Sequence, residues 1–313
     1  MNWDKEKSGI RDKGFKIGMI QEREWAFHGG SLYYQVKEDG VHITHFRGTA
    51  TEVAVPAKMD GVAVHTIEKK AFLSKKRLRR VCLPEGIEMV GDWAFAHCDD
   101  LREVRLPAKK IGFGKAVFKE CGKLEKICCY PTEAVAELLA AAVTVFDADY
   151  LLDTAEAGTK EWLEKWDAKL KAMLDAPETE GYSKQVLCGE EDYGSTDPEA
   201  YTGNRRKERV RMALLRLLHP AGCSEELKSR LEQYLLHLTK GCAHEETWLV
   251  VWKEHGNDKE YYHLFADLGC ITKENQNDIL ADIGEDYPEM KSFFMGLGQT
   301  GDNFQEFFDG LDL

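Results

Sequence analysis

From position 78 the apolar residues of this chain recur with a period of 23. LRRVCLPEGIEMVGDWAFAHCDD (78–100) lies over LREVRLPAKKIGFGKAVFKECGK (101–123), and LEKICCYP opens a third row at Leu124. Leu78, Leu101 and Leu124 align, as do Val81, Val104 and Ile127. So do Leu83 and Leu106, Pro84 and Pro107, Val90 and Phe113, Phe95 and Phe118, and Cys98 and Cys121. One row upstream, IEKKAFLSK (67–75) puts Phe72 in the column of Phe95. A fixed period of this length predicts a solenoid, because one coil cannot bury its own apolar edge whereas stacked coils share a continuous core. Within L-x-x-V-x-L-P the Leu, Val and Leu point inward from a short strand. The Pro has no amide hydrogen and suits the end of a ladder. The Ala-Phe pair on the return leg sets a large plug beside a small residue. Cys98 and Cys121 read as small buried hydrophobes, and Phe72, Phe95 and Phe118 are expected in one column.

LPEGIEMVGDWAFAHCDDLREVRLP resembles the BspA-type, or treponemal, class of bacterial leucine-rich repeats, with its 23-residue coils and "LP…I…IG…AF…C…L" pattern. Upstream, YYQVKEDGVHITHFRGTATEVAVPAKMDGVAVHTIEKKAF resembles that family's opening unit, with a hairpin turning at Glu38-Asp39-Gly40 and a first coil lengthened at MDGVAV. The resemblance spans about residues 32–130. The second row departs from it at Lys110, where Ile111 is expected to shift inward. What the resemblance implies is binding, frequently at cell surfaces.

After Pro131 the period gives way to helical spacing. TEAVAELLAAAVTVF (132–146) is apolar enough to cover the last coil, which would otherwise expose its core and strand edge. Further helices are predicted in 160–174, 205–219, from Ser224 to Gly241, in EETWLVVWKEH, DKEYYHLFADL and YPEMKSFFMGL, and in TKENQNDILADI with Thr272 as its cap. Gly and polar caps between short helices suggest antiparallel hairpins, and 257–297 loosely resembles ankyrin-like or other helical repeats. The expected fold class is therefore α+β. A leucine-rich-repeat β-solenoid with an N-terminal β-hairpin occupies 1–131, and an all-α domain occupies 132–313, with a long acidic loop at 176–203.

Charge changes the picture in one respect. The formal net charge of −13 hides a split, since Lys and Arg outnumber Asp and Glu up to residue 130 and the balance reverses sharply beyond it. An acidic whole argues against nucleic acid, and a basic part beside an acidic one invites the two to dock on each other. No apolar run reaches the ~18 residues of a membrane span, and the polar opening MNWDKEKSGIRDKGFKIG is not a leader. The 9 Cys are odd in number and form no CxxC pair, which favours reduced thiols in a cytoplasm over a disulfide framework or a zinc knuckle.

Candidate binding residues fall into four groups. On the outward strand face the period stacks Arg80, Glu103 and Lys126 in one column and Cys82, Arg105 and Cys128 in the next. Arg79, Arg102 and Glu125 lie alongside. Such a ladder of cations would suit an acidic protein segment. Trp93 stands where neighbouring coils have Lys70 and Ala116, so it occupies no core column and is a candidate contact. In the loop, Glu190, Glu191 and Asp192 follow Cys188 and can dock on the basic stretch at Arg205-Arg206-Lys207. In the tail, Phe304, Phe307, Phe308 and Leu311 have the spacing of a helix that anchors in a groove.

The chain carries no H-E-x-x-H, P-loop or G-x-S-x-G motif. Its expected role is a non-catalytic protein-interaction module or adaptor, without metal or cofactor, monomeric or weakly self-associating. The alternative is a hydrolase or metal-dependent enzyme built on residues 188–192.

Overall fold

A computed structural model describes residues 21–130, 134–182, 197–239 and 246–297. Strands fill the first of these segments. They are β1 (Arg23–Phe27), β2 (Gly30–Lys37), β3 (Gly40–Gly48), β4 (Glu52–Ala54), β5 (Lys58–Met59), β6 (Val62–Ile67), β7 (Arg80–Cys82), β8 (Met89–Val90), β9 (Glu103–Pro107), β10 (Gly112–Phe113) and β11 (Lys126–Tyr130). They form two sheets, one ordered β1-β2-β3-β6-β8-β10 with β5 beside β6, the other β11-β9-β7-β4.

The 23-residue period is the register of the second sheet. Parallel pairing sets Arg80 against Glu103 and Glu103 against Lys126. The first sheet repeats it, pairing Ile67 with Val90 and Val90 with Phe113. Inward Leu78, Val81 and Leu83 and their equivalents are buried. Ile111 is buried in place of the exposed Lys110, as the second row requires. Phe72 and Phe95 stack with centroids 4.9 Å apart, and Phe95 and Phe118 at 5.6 Å. Phe46 at 5.6 Å and Phe27 beyond it at 6.0 Å carry the column into the N-terminal hairpin. The Cys98 thiol donates to the Phe72 carbonyl and the Cys121 thiol to the Phe95 carbonyl, each at 3.1 Å, so these buried sulfurs also tie one coil to the one before.

Two positions in every coil are left-handed without glycine. Lys70, Trp93 and Ala116 have φ of 62°, 59° and 51°, and Ser74, His97 and Glu120 have 58°, 56° and 57°. The amide at the first of these sites donates to the next coil: Lys70 to the Asp92 carbonyl and Trp93 to that of Lys115, both at 3.0 Å. After the third coil no further carbonyl arrives, and the Ala116 amide donates instead to the Asp149 carboxylate at 3.0 Å.

Asp149 belongs to a single 3-10 turn (Asp149–Leu151) behind helix α1 (Ala136–Thr144). Helix α1 packs against β11, and its buried Leu138, Leu139 and Val143 join the solenoid core. The helical part continues with α2 (Lys160–Asp175), α3 (Pro198–Leu218), α4 (Glu225–His237), α5 (Glu246–His255), α6 (Lys259–Asp267), α7 (Gln276–Ile283) and α8 (Pro288–Leu297). The Thr159 and Ser224 side chains cap α2 and α4 by accepting from the amides of Trp162 and Leu227.

Two of these starts differ from expectation. Helix α3 begins at Pro198, so 198–203 are helical and do not belong to the loop. Asp197 accepts the Glu199 amide, and proline suits a first helical turn. Helix α7 begins at Gln276, because Thr272 and Asn275 instead exchange side chain-to-amide hydrogen bonds in a turn before it. A buried ion pair helps fasten the helices: Arg216 donates to both Asp167 oxygens at 2.6 and 3.1 Å and to the carbonyls of His219 and Ala221. Pairing and full hydrogen bonding make a buried guanidinium tolerable.

Candidate functional site

The outward side chains of β4, β7, β9 and β11 share one surface because the parallel register stacks them. The first column reads Glu52, Arg80, Glu103, Lys126, so its charge alternates. Arg80 donates from Nη1 to Glu52 and from Nε to Glu103, both at 3.1 Å. Arg105, from the second column, donates to the other oxygen of Glu103 at 2.7 Å. Burial opposes ionisation of Glu103, but Arg105 and Arg80 outweigh it and hold the carboxyl below its ordinary range. The flanking pair repeats the motif, Arg102 donating to Glu125 at 2.9 Å.

The ladder does not stop at the last strand. Lys126 lies 3.0 Å from Glu137 of α1, and Glu137 lies 2.8 Å from His219 Nε2. The His219 hydrogen bond, helped by Lys126 against the cost of burial, draws the Glu137 carboxyl down to about 2. Beside this junction is a cleft of about 1040 Å³ between the last coil, α1, α3 and the turn joining α5 to α6, with Lys126, Glu137, Arg211 and Tyr261 in its walls. Arg211 is held there by two hydrogen bonds to Glu254, at 2.6 and 2.7 Å.

The structure thus brings Arg80, Glu103, Arg105 and Lys126 together, but as an ion-paired lattice and not as a uniform basic field. In the second column Cys82 is half-buried, whereas Cys128, expected to face outward, is only 1% exposed; it sits on the strand against which α1 packs. Glu52, Glu137 and His219 were not legible as members. Glu52 lies one coil above the rows that align by sequence, and the other two reach the column only through the tertiary placement of α1 and of the end of α3.

Trp93 is 39% exposed, and Met89 of the same coil 40%. Glu190, Glu191, Asp192, Phe304, Phe307 and Phe308 lie outside the described residues, as does Cys188. Among the described residues no group of three or more His, Cys, Asp or Glu is placed to hold a metal ion, and no helix is long and apolar enough to cross a membrane.

With this geometry in view, residues 57–137 match the model of the "BspA type Leucine rich repeat region", in 6 copies. That stretch is a BspA-type leucine-rich repeat region. Among solved structures, a leucine-rich repeat protein of T. pallidum is 31% identical over 31% of this chain and 46% of its own, with a TM-score of 0.25. A leucine-rich cell surface protein of Faecalibacterium prausnitzii is 20% identical over 35% of this chain and 30% of its own, with a TM-score of 0.28. One from Bacteroides ovatus is 16% identical over 33% and 29%, with a TM-score of 0.27. The chain therefore spans less than half the length of each. No curated protein matches it. The BspA-type region begins within the lengthened first coil and ends inside α1.

Proposed function

We propose that this chain is a non-catalytic protein-interaction module, and that its partner lies along the strand face and enters the cleft beside Lys126. Leucine-rich repeats of this type are generally protein-interaction modules. The observation that carries the more specific reading is the continuity of the ladder, from Glu52 to Glu137, with a cleft at its end. Alternating charge fits an extended segment bearing both signs, acidic groups opposite Arg80 and Arg105 and a basic group opposite Glu103. The odd number of cysteines and the lack of a CxxC pair support a reducing compartment, the cytoplasm.

The test compares proteins recovered from the native cell by the unaltered chain and by an Arg80→Glu/Arg105→Glu variant of equal melting temperature. At least a tenfold loss of one partner is expected, with a shallower salt dependence of what remains. Recovery of the same partners at equal strength by both chains removes the strand face as the site.

A further inference from the structure

Beside the strand face's last ion pair, the first turns of α1 and α2 and the end of α3 line a second cavity, open to solvent on one side, of about 420 Å³. This volume lies within the roughly 300–1,000 Å³ of small-molecule sites. Its walls are Val135, Leu138, Leu163, Leu218 and Pro220, with small residues such as Ala157 between them, and among the described residues its one ionisable side chain is His219. Mostly apolar walls with a single polar group are the usual lining of a small-molecule site.

His219 is fixed in orientation. Its Nε2 faces the Glu137 carboxylate at 2.8 Å, so that nitrogen carries a proton and donates. In the neutral ring the other nitrogen, Nδ1, is an acceptor. No Lys, Arg, Asp or Glu is among the described lining residues, so those residues hold no permanent charge to pair with a charged guest, and burying an unpaired charge is costly.

We infer that this cavity is a binding site for a small uncharged molecule with an apolar ring or acyl body and a single hydroxyl that donates to His219. The site is separate from the strand face and its ligand differs in class from the proposed protein partner. The two share Glu137, which receives His219 from one side and Lys126 from the other, so occupancy of the cavity bears on the last rung of the ladder.

2-Naphthol and naphthalene serve as probes of the full chain, by titration calorimetry and by protein NMR. Saturable one-to-one binding of 2-naphthol is expected, with shift changes centred on Leu138, Leu163 and His219. Ala157→Phe, which fills the cavity, is expected to weaken binding at least tenfold at an unchanged or higher melting temperature. Should that variant not fold, Ala134→Leu narrows the same space and is read in its place. His219→Gln is expected to weaken 2-naphthol several-fold and leave naphthalene unaffected, a split that loss of wall area alone does not produce. Absence of saturable binding, shift changes centred elsewhere, or equal affinity in the filled variant overturns the inference.

Discussion

Gly91 and Gly114 occupy the same place in successive coils, and each lies against the backbone of the coil before. A Cβ on Gly91 would stand 2.6 Å from the Lys69 nitrogen, and one on Gly114 2.4 Å from that of Asp92. Neither backbone can retreat without opening the sheet. Gly114→Ala is therefore expected to lose about 1–3 kcal/mol in a urea melt. Lys70→Gly should do the reverse on a smaller scale, since relief of a left-handed non-glycine (about 1–2 kcal/mol) exceeds the added unfolded-state freedom of glycine (about 0.4–1 kcal/mol). The columns of large residues were legible because a period shows whenever it is filled by one residue type. The left-handed column was not. Lys70, Trp93 and Ala116 share no chemistry, and their conformation is imposed by the amide that Lys70 and Trp93 deliver to the next coil and Ala116 to Asp149.

Between elements, the decisive contact is the end of the stack. Asp149 supplies the acceptor that a following coil would have supplied to Ala116, and Thr154 caps the Lys109 carbonyl of the last complete coil at 2.5 Å. Asp149→Ala should leave a backbone donor without its protein partner at a cost of about 0.5–1.5 kcal/mol, with faster hydrogen exchange at Ala116 than at the equivalent Trp93 amide. Equal exchange at both would show that water serves the donor as well. The start of α4 was legible from the hydroxyl of Ser224 before an apolar stripe, whereas Thr272 offered the same signal and only opens a turn. The start of α3 was hidden because Pro198 and Gly203 read as loop residues until Asp197 is seen to cap them. Cys128 was misplaced for another reason: alternation along a strand tells which side chains leave the core, not which are then covered by what packs on the strand, here α1.

For the molecule as a whole, Glu137 joins the solenoid to the helices, and its titration should be felt in global stability. Its carboxyl is drawn from an ordinary value of 4.5 to about 2 in the folded chain. A depressed carboxylate contributes its full stabilisation above the unfolded value and loses it as pH falls toward the folded one. Stability should thus decline between about pH 5 and pH 2 by on the order of 1–2 kcal/mol, discounted for the group's partial exposure. Glu137→Gln should flatten that part of the profile in denaturant melts taken across the range. At this scale the charges of the strand face were legible but their arrangement was not, because Arg80 finds Glu52 and Lys126 finds Glu137 only once the coils are stacked and α1 is laid across them.

Asp149 has one consequence for the architecture as a whole. A lid that mimics the backbone of the next winding carries no information about how many windings came before. Whole modules of 23 residues can accordingly be inserted or removed upstream of it, lengthening or shortening the array by one step each while both termini stay as they are.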